Sequence, residues 1–380
     1  MIKVLTVFGT RPEAIKLAPV IKRLECDPRF ACITCVTSQH REMLDQVLEV
    51  FEIVPKYDLA VMTFAQSLAD VTAKVVQKVS EVVAAERPEI VLVQGDTTTT
   101  FAASLAAFYN RVPVGHVEAG LRTSDKYQPF PEEINRRLTT VLADYHYAPT
   151  AIGRQNLLAE GIDTRRILVT GNTGIDALLM ALDRLRQGGR IGGRLVQGVP
   201  DTDGKRMILV TAHRRESFGA PFEAICEALR QIAERNPDVT IVYPVHLNPQ
   251  VRGPVFERLA DCPRIHLTEP LGYMSFVQMM DRAYMILTDS GGIQEEAPAL
   301  GKPVLVMRKT TERPEAVEAG SARLVGTSTE TIATAAQHLL DDVVAYERMS
   351  RARNPFGDGR ASERIAGHIL EMLGGAECRA

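Results

Sequence analysis

The chain has 380 residues, 45% of them apolar and 24% charged. That is the balance of a folded globular protein, and at about 150 residues per domain it is long enough for two or three cores. Its 44 basic and 47 acidic residues leave a net charge of −3, which excludes a broad basic face for nucleic acid, and no apolar run approaches the roughly 18 residues needed to span a bilayer. The opening MIKVLTVFGTRPEA is too short in apolar residues and wrongly flanked for a signal peptide, so a cytoplasmic protein is expected. Six cysteines in a chain of this size make no disulfide framework. Cys32 and Cys35 form a C-x-x-C, but inside the strand-like ACITCV they point to opposite faces, which argues against redox or metal use.

In chain order, β-branched apolar runs recur at Val4–Phe8, Ala31–Val36, Ile90–Val93, Pro113–Val117, Tyr145–Ala148 and Ile167–Thr170. A second series follows at Met207–Thr211, Thr240–Val245, Ile265–Leu267, Met285–Thr288 and Pro303–Met307. Helical stretches separate them, and this alternation predicts parallel sheets covered by helices on both faces. In the helix FAASLAAFY, Phe101, Leu105 and Phe108 fall on one stripe, while the alanines allow close approach to the sheet. The Gly- and charge-rich stretch over 181–206 reads as a surface excursion early in the second unit. A turn at Gly357–Gly359 precedes a last helix from about Ser362.

Open α/β sheets bind ligands at the carboxyl ends of their strands. GTRPEAIKLAP follows the first strand, with Pro12 suited to a first helical turn and Arg11 and Lys16 beside it. It contains neither G-x-G-x-x-G nor G-K-[ST], so neither a dinucleotide nor ATP is favoured. QGDTTTT brings Asp96, HVEAGLRT brings Glu118 and Arg122, and PFPEEINR brings Glu132, Glu133 and Arg136 near a helix start. In the second half, TAHRRESFG carries His213, Arg214 and Arg215 directly after a strand. Within TDSGGIQEEAPALGKPVL, Ser290 can cap a helix that begins at Gly291 and Gly292, a place where backbone N–H groups and the helix dipole favour phosphate. Glu296 lies about one and two-thirds turns on, placed to accept hydrogen bonds from a ribose.

These segments, with PVHLNP and TTERPEAVEAG, resemble the non-hydrolysing bacterial UDP-N-acetylglucosamine 2-epimerases over nearly the whole chain. The resemblance implies a glycosyltransferase-B fold, with two Rossmann-like parallel-sheet domains facing a central cleft and a C-terminal helix crossing back to the first. The implied domains are 1–170 with 362–380, carrying catalytic carboxylates, and 171–361, binding UDP. It implies interconversion of UDP-N-acetylglucosamine and UDP-N-acetylmannosamine for surface polysaccharide synthesis, by a homodimer using no metal and no cofactor. Carried over, Asp96, Glu118, Glu132 and His213 are catalytic. Substrate contacts are Arg11, Lys16, Arg136, Leu271, Phe276, Ser290, Gly291, Gly292, Glu296 and Arg313, with the uracil near Leu271 and Phe276.

Some relatives are activated by UDP-N-acetylglucosamine at a neighbouring site, and Gln39, His40, Arg41, Gln66, Arg214 and His246 fall in matching segments. Ala65 stands where the regulated members carry arginine, a departure from that pattern. Hydrolysing epimerases, transferases of the same fold and a catalytically silent sugar-nucleotide sensor share parts of this pattern. The first would release free sugar, the second needs an acceptor site, and the third could dispense with the carboxylates.

Overall fold

Buried β-branched strands alternate with helices throughout the computed structural model of the protein, which describes residues 1–37, 41–61, 66–188, 190, 191, 194, 195, 202 and 204–374, with the backbone alone at 41–43, 190, 191, 194 and 195. The chain divides into two units, Met1–Met180 with the stretch from Gly357 onward, and Ala181–Phe356. In chain order the first contains β1 (Ile2–Phe8), α1 (Arg11–Glu25), β2 (Phe30–Val36), α2 (Arg41–Phe51), β3 (Tyr57–Asp58), α3 (Leu68–Glu86), β4 (Ile90–Gln94) and α4 (Thr98–Tyr109). It continues with β5 (Val114–Val117), α5 (Glu132–Leu142), β6 (Tyr145–Ala148), α6 (Ala151–Ala159), β7 (Ile167–Val169) and α7 (Thr173–Arg186). After a two-stranded hairpin, β8 (Arg190–Ile191) with β9 (Arg194–Leu195), the second unit runs β10 (Arg206–Thr211), α8 (Ala220–Arg235), β11 (Val239–Pro244), α9 (Pro249–Leu259) and β12 (Ile265–Thr268). Then come α10 (Tyr273–Arg282), β13 (Met285–Thr288), α11 (Gly291–Glu296), β14 (Val304–Val306), α12 (Pro314–Glu318), β15 (Ala322–Leu324), α13 (Thr329–Asp341) and α14 (Val343–Ser350), and α15 (Ala361–Leu373) ends the described chain.

The first unit's sheet is parallel with order β3-β2-β1-β4-β5-β6-β7, and the second's is parallel with order β12-β11-β10-β13-β14-β15. In both, the chain reverses direction across the sheet beside the first strand, where the loops after β1 and β4, and after β10 and β13, diverge. Such a switch point is where this architecture holds ligands. The strands are legible in sequence because both of their faces are covered. In the first unit Leu5, Val7, Ile33, Val91 and Val93 pack on Val75, Val79 and the alanines of α4. In the second, Ile208, Val210, Ile241 and Leu287 pack on Phe222, Ile225 and Leu229. Each fully buried Val or Leu is worth about 1.5–3 kcal/mol.

The helix α4 approaches the sheet through its alanines, as expected. Ala102, Ala103, Ala106 and Ala107 face the core, while Phe108 is 58% exposed and Phe101 and Leu105 are half-buried. The stripe is real, but it lies on the outer side. Small residues face inward because α4 lies against α3, α5 and the sheet. Cys32 and Cys35 sit in β2 as free thiols whose burial pushes both up to about 12. Of the stretch over 181–206 read as a surface excursion, the start to Arg186 continues α7, with Ala181 and Leu182 buried, and residues 189, 192, 193, 196–201 and 203 lie outside the described residues. The helix α15 packs on α1, and its first N–H groups, from Ala361 and Ser362, donate to the carboxylate of Asp176 at 3.2 and 2.8 Å. No described helix is long and apolar enough to cross a membrane.

Candidate functional site

The β1–α1 turn needs Gly9, because a Cβ there would meet Thr37 Oγ1 at 2.2 Å and Thr99 Oγ1 at 2.7 Å. Beyond it Pro12 sits in the first turn of α1, Arg11 is exposed, and Lys16, one turn further, donates to Glu118 Oε1. At the end of β4, Gly95 turns the chain at φ +72°, and Asp96 follows with its carboxylate held by Nε and Nη2 of Arg136 from α5. Arg136 is buried and also donates from Nη1 to Glu133 at 3.2 Å. Burial pushes the Asp96 carboxyl above its ordinary value and the Glu118 charge pushes the same way, while Arg136 and Lys16 oppose them. A carboxylate raised in this manner is a stronger base than an ordinary one.

Glu118 follows β5 with its backbone in the left-handed region, φ +67°, a cost of about 1 kcal/mol or more for a non-glycine residue. Its two oxygens accept from Lys16 and from Gln94 Nε2. Glu132 opens α5, and its Oε2 is buried with no hydrogen-bond donor among the described residues. Its neighbour Glu133 is fully buried. Burial pushes that carboxyl up, but Arg137, the Thr123 N–H and Arg136 bring it below the usual range. The structure thus brings Asp96, Glu118, Lys16 and Arg136 into one network, with Glu132 at the start of the helix that supplies Arg136. Arg122 is instead held by Glu160 and Thr140.

In the second unit the ends of β10 and β13 are tied by Thr211 and Thr288, whose hydroxyls meet at 2.6 Å. The next residue, Asp289, is fully buried and accepts the backbone N–H groups of His213 and Arg214 at 2.6 and 2.7 Å. His213 Nδ1 lies 3.4 Å from the other Asp289 oxygen, and the His213 ring stacks on His246 at 5.4 Å. Burial lowers the His213 pKa, with His246 and Arg214 adding to the effect and Asp289 opposing it.

Ser290 occupies the N-cap position of α11 but makes no side-chain cap bond, contrary to the role read for it. Its own N–H donates to Thr288 Oγ1 at 2.9 Å, so the turn is fixed by the threonine instead. A Cβ at Gly292 would meet nothing within 4 Å, and one at Gly291 would meet only Arg214 Nη2 at 3.8 Å. There is room for a side chain at both glycines, but only Gly292 is exposed, Gly291 being buried. Glu296 ends α11, and its charge acts on the buried hydroxyl of Tyr273, which burial already raises well above its ordinary value. Leu271 and Phe276 are half-buried at the start of α10. Arg313, before α12, donates to Glu295.

Of the residues matching a regulatory site, Gln39 and His40 lie outside the described residues, as does the Arg41 side chain. Gln66 precedes α3 in the first unit, and Arg214 and His246 lie in the second. Sequence reasoning passed over Glu13, Gln94, Asp289 and Glu295. For Glu13 a signal existed, since Thr10 followed three residues later by Glu is a capping-box pattern.

The family model described as UDP-N-acetylglucosamine 2-epimerase matches residues 22–370. The UDP-N-acetylglucosamine 2-epimerase of Salmonella typhimurium is 57% identical over 364 residues, covering 96% of this chain and 97% of that one. The crystal structure of UDP-GlcNAc 2-epimerase from Neisseria meningitidis bound to UDP-GlcNAc is 49% identical, with TM-score 0.84, and the match covers 97% of this chain and 100% of that one. The enzyme from Methanocaldococcus jannaschii, in complex with UDP-GlcNAc and UDP, is 34% identical with TM-score 0.75, over 97% and 100% of the two chains. With two parallel-sheet α/β units of the kind this resemblance requires, the chain belongs to the UDP-N-acetylglucosamine 2-epimerase family.

Proposed function

We propose that the protein interconverts UDP-N-acetylglucosamine and UDP-N-acetylmannosamine by inversion at C2. The C2 proton of the sugar is not beside a ketone, so its simple removal would be slow. Expelling UDP from C1 as a base takes that proton avoids a free carbanion. The C1–O and C2–H bonds break, a 2-acetamidoglucal and UDP form, and re-addition with a proton delivered to the opposite face completes the inversion. The sequence is redox-neutral. It needs a base, a proton donor and stabilisation of the departing diphosphate.

The observation that carries this reading is the carboxylate network at the strand ends of the first unit, with Asp96 raised by burial and by Glu118. We assign Asp96 as base and Glu132 as its acid partner. Glu118, clamped by Lys16 and Gln94, positions the pair. In the second unit the backbone of Ser290–Gly292, with His213 and Arg313, takes the diphosphate, Glu296 the ribose, and Leu271 and Phe276 the uracil. Arg11 and Arg136 complete the substrate contacts. Activation by UDP-N-acetylglucosamine through the segments carrying Gln39, His40, Arg41, Gln66, Arg214 and His246 is the matching regulatory proposal. A lag when the reverse reaction starts from pure UDP-N-acetylmannosamine supports it, and full rate from the start removes it.

We place the enzyme in the cytoplasm as a homodimer. On α5 the polar side chains Glu133, Asn135, Arg136 and Thr139 face inward, while Ile134, Leu138 and Val141 are 38%, 41% and 78% exposed. The neighbouring α4 likewise turns Phe108 and Tyr109 outward. Large apolar side chains on the outer faces of two adjacent helices are characteristic of a covered interface. Light scattering should give twice the chain mass of 41.8 kDa, and Leu138→Glu should give a single chain.

The enzymatic reading is tested by following UDP-N-acetylglucosamine by proton NMR. UDP-N-acetylmannosamine should appear up to an equilibrium mixture. Free N-acetylmannosamine with UDP would make the protein a hydrolysing enzyme instead, and an unchanged spectrum would refute the proposal.

A further inference from the structure

We propose that Glu13 is a positioning residue for the base Asp96 and for Glu118 beside it, an inference that rests on the epimerase reading above. It opens as an ordinary capping residue. Glu13 Oε2 accepts the Thr10 N–H at 2.8 Å, the Thr10 hydroxyl at 2.7 Å and the Gly9 N–H at 3.1 Å. A cap alone needs neither burial nor a second partner, as α3 shows with the same device: there Asp70, at the exposed start of the helix, caps Ser67 in solvent. Glu13 is 1% exposed, and burying a carboxylate is costly unless it is fully hydrogen-bonded.

The rest of its bonding is non-local. Oε1 accepts from the Thr97 hydroxyl at 2.6 Å and lies 3.0 Å from the Thr100 hydroxyl, which also reaches Gln94 O at 2.6 Å. Thr97 is the residue after Asp96 and caps α4 by accepting the Thr100 N–H at 3.1 Å. One buried carboxylate therefore joins the two turns on either side of the switch point. On one side it fixes the backbone that carries Asp96. On the other it fixes the start of α1, from which Lys16 reaches Glu118. The proposed base, Asp96, and the carboxylate that positions it, Glu118, are thus referenced to one side chain that touches neither.

Displacing a reacting group by about 1 Å can cost about 100-fold in rate. In the full-length protein, Glu13→Gln should lower kcat by about that factor, leave KM for UDP-N-acetylglucosamine within about 3-fold and leave UDP affinity unchanged. Thr97→Val, which removes the same link from the other side, should lower kcat in parallel. Thr97→Ser, which keeps the hydroxyl, should restore it. Should Glu13→Gln not fold, the Thr97 pair alone decides the matter. Wild-type kcat in Glu13→Gln or in Thr97→Val overturns the proposal. So does a joint fall of kcat, UDP affinity and thermal stability, which marks a general structural role. An inactive wild-type protein would instead refute the epimerase reading and is distinguishable from either result.

Discussion

Acidification from pH 7.5 to 5.0 should withdraw about 4 kcal/mol from the first unit through two histidines. His116 on β5 and His146 on β6 are register partners in the parallel sheet, 1% and 0% exposed. His116 Nε2 donates to the Gly95 carbonyl at 2.7 Å, which leaves Nδ1 without a proton and, among the described residues, without a partner. Neither nitrogen of His146 has a partner among them. A second proton on His116, or any charge on His146, would be buried with nothing to receive it. Burial thus holds His116 down to about 4, with the Arg122 charge acting the same way and the Gly95 hydrogen bond and Glu118 opposing, and holds His146 down to about 3, with His116, Arg166 and Arg122 acting the same way.

In the unfolded chain both titrate near 6.5. The folded values lie below the unfolded ones, so the unfolded state binds more protons across this window. Stability is fully present above about pH 6.5 and is lost as the pH falls toward 4 and 3. At pH 5.0 the unfolded rings are almost wholly charged and the folded ones almost bare, which amounts to about 2 kcal/mol for each. Buried carboxyls with raised values, Glu13 and Asp96 among them, act in the opposite sense, so the effect is read as a difference between variants. Hydrogen-exchange protection of β5 and β6 peptides at the two pH values reports this unit without assuming that both units unfold together. His146→Leu should lose about 2 kcal/mol less than the parent over the same interval. Equal losses in parent and variant would refute the reasoning.

Three further expectations follow from the site. Asp96→Asn should remove most turnover and leave UDP binding, by calorimetry, largely intact; loss of both together would count against a chemical role. Ser290→Ala should weaken UDP binding yet change stability by under about 0.5 kcal/mol, because the hydroxyl makes no cap bond; an N-cap loss near 1 kcal/mol in urea titrations would contradict this. Gly9→Ala should lower the stability of the first unit by about 1–3 kcal/mol, since short threonine side chains block the new methyl; an unchanged denaturation midpoint would contradict the close packing.

The strands of both sheets were legible because parallel strands covered on both faces are near-continuous apolar runs. Tyr145–Ala148 and Met285–Thr288 match residue for residue. The strands β3 and β15 and the β8–β9 hairpin, two or three residues each, leave too little pattern to read. The periodicity of α4 placed Phe101, Leu105 and Phe108 on one stripe but could not say which side faced the core. That depended on how closely α3 and α5 approach, which is a tertiary fact. At the candidate site, strand-end position alone singled out Asp96 and Glu118. That the hydroxyl of Ser290 makes no cap bond could not be seen, because residue type and position permit the cap and only the side chain's orientation in the folded turn decides it. Nor could Asp289 be seen to latch His213, for that contact joins strands 76 residues apart.

The most direct test of the chemistry at C2 is incubation with UDP-N-acetylglucosamine in deuterated water, followed by mass analysis of the nucleotide sugars. One deuterium at C2 in both epimers is the expected result, and with Asp96→Asn that label should all but disappear. Nucleotide sugars that stay unlabelled with the active wild-type protein would contradict proton exchange at C2 and the elimination built on it.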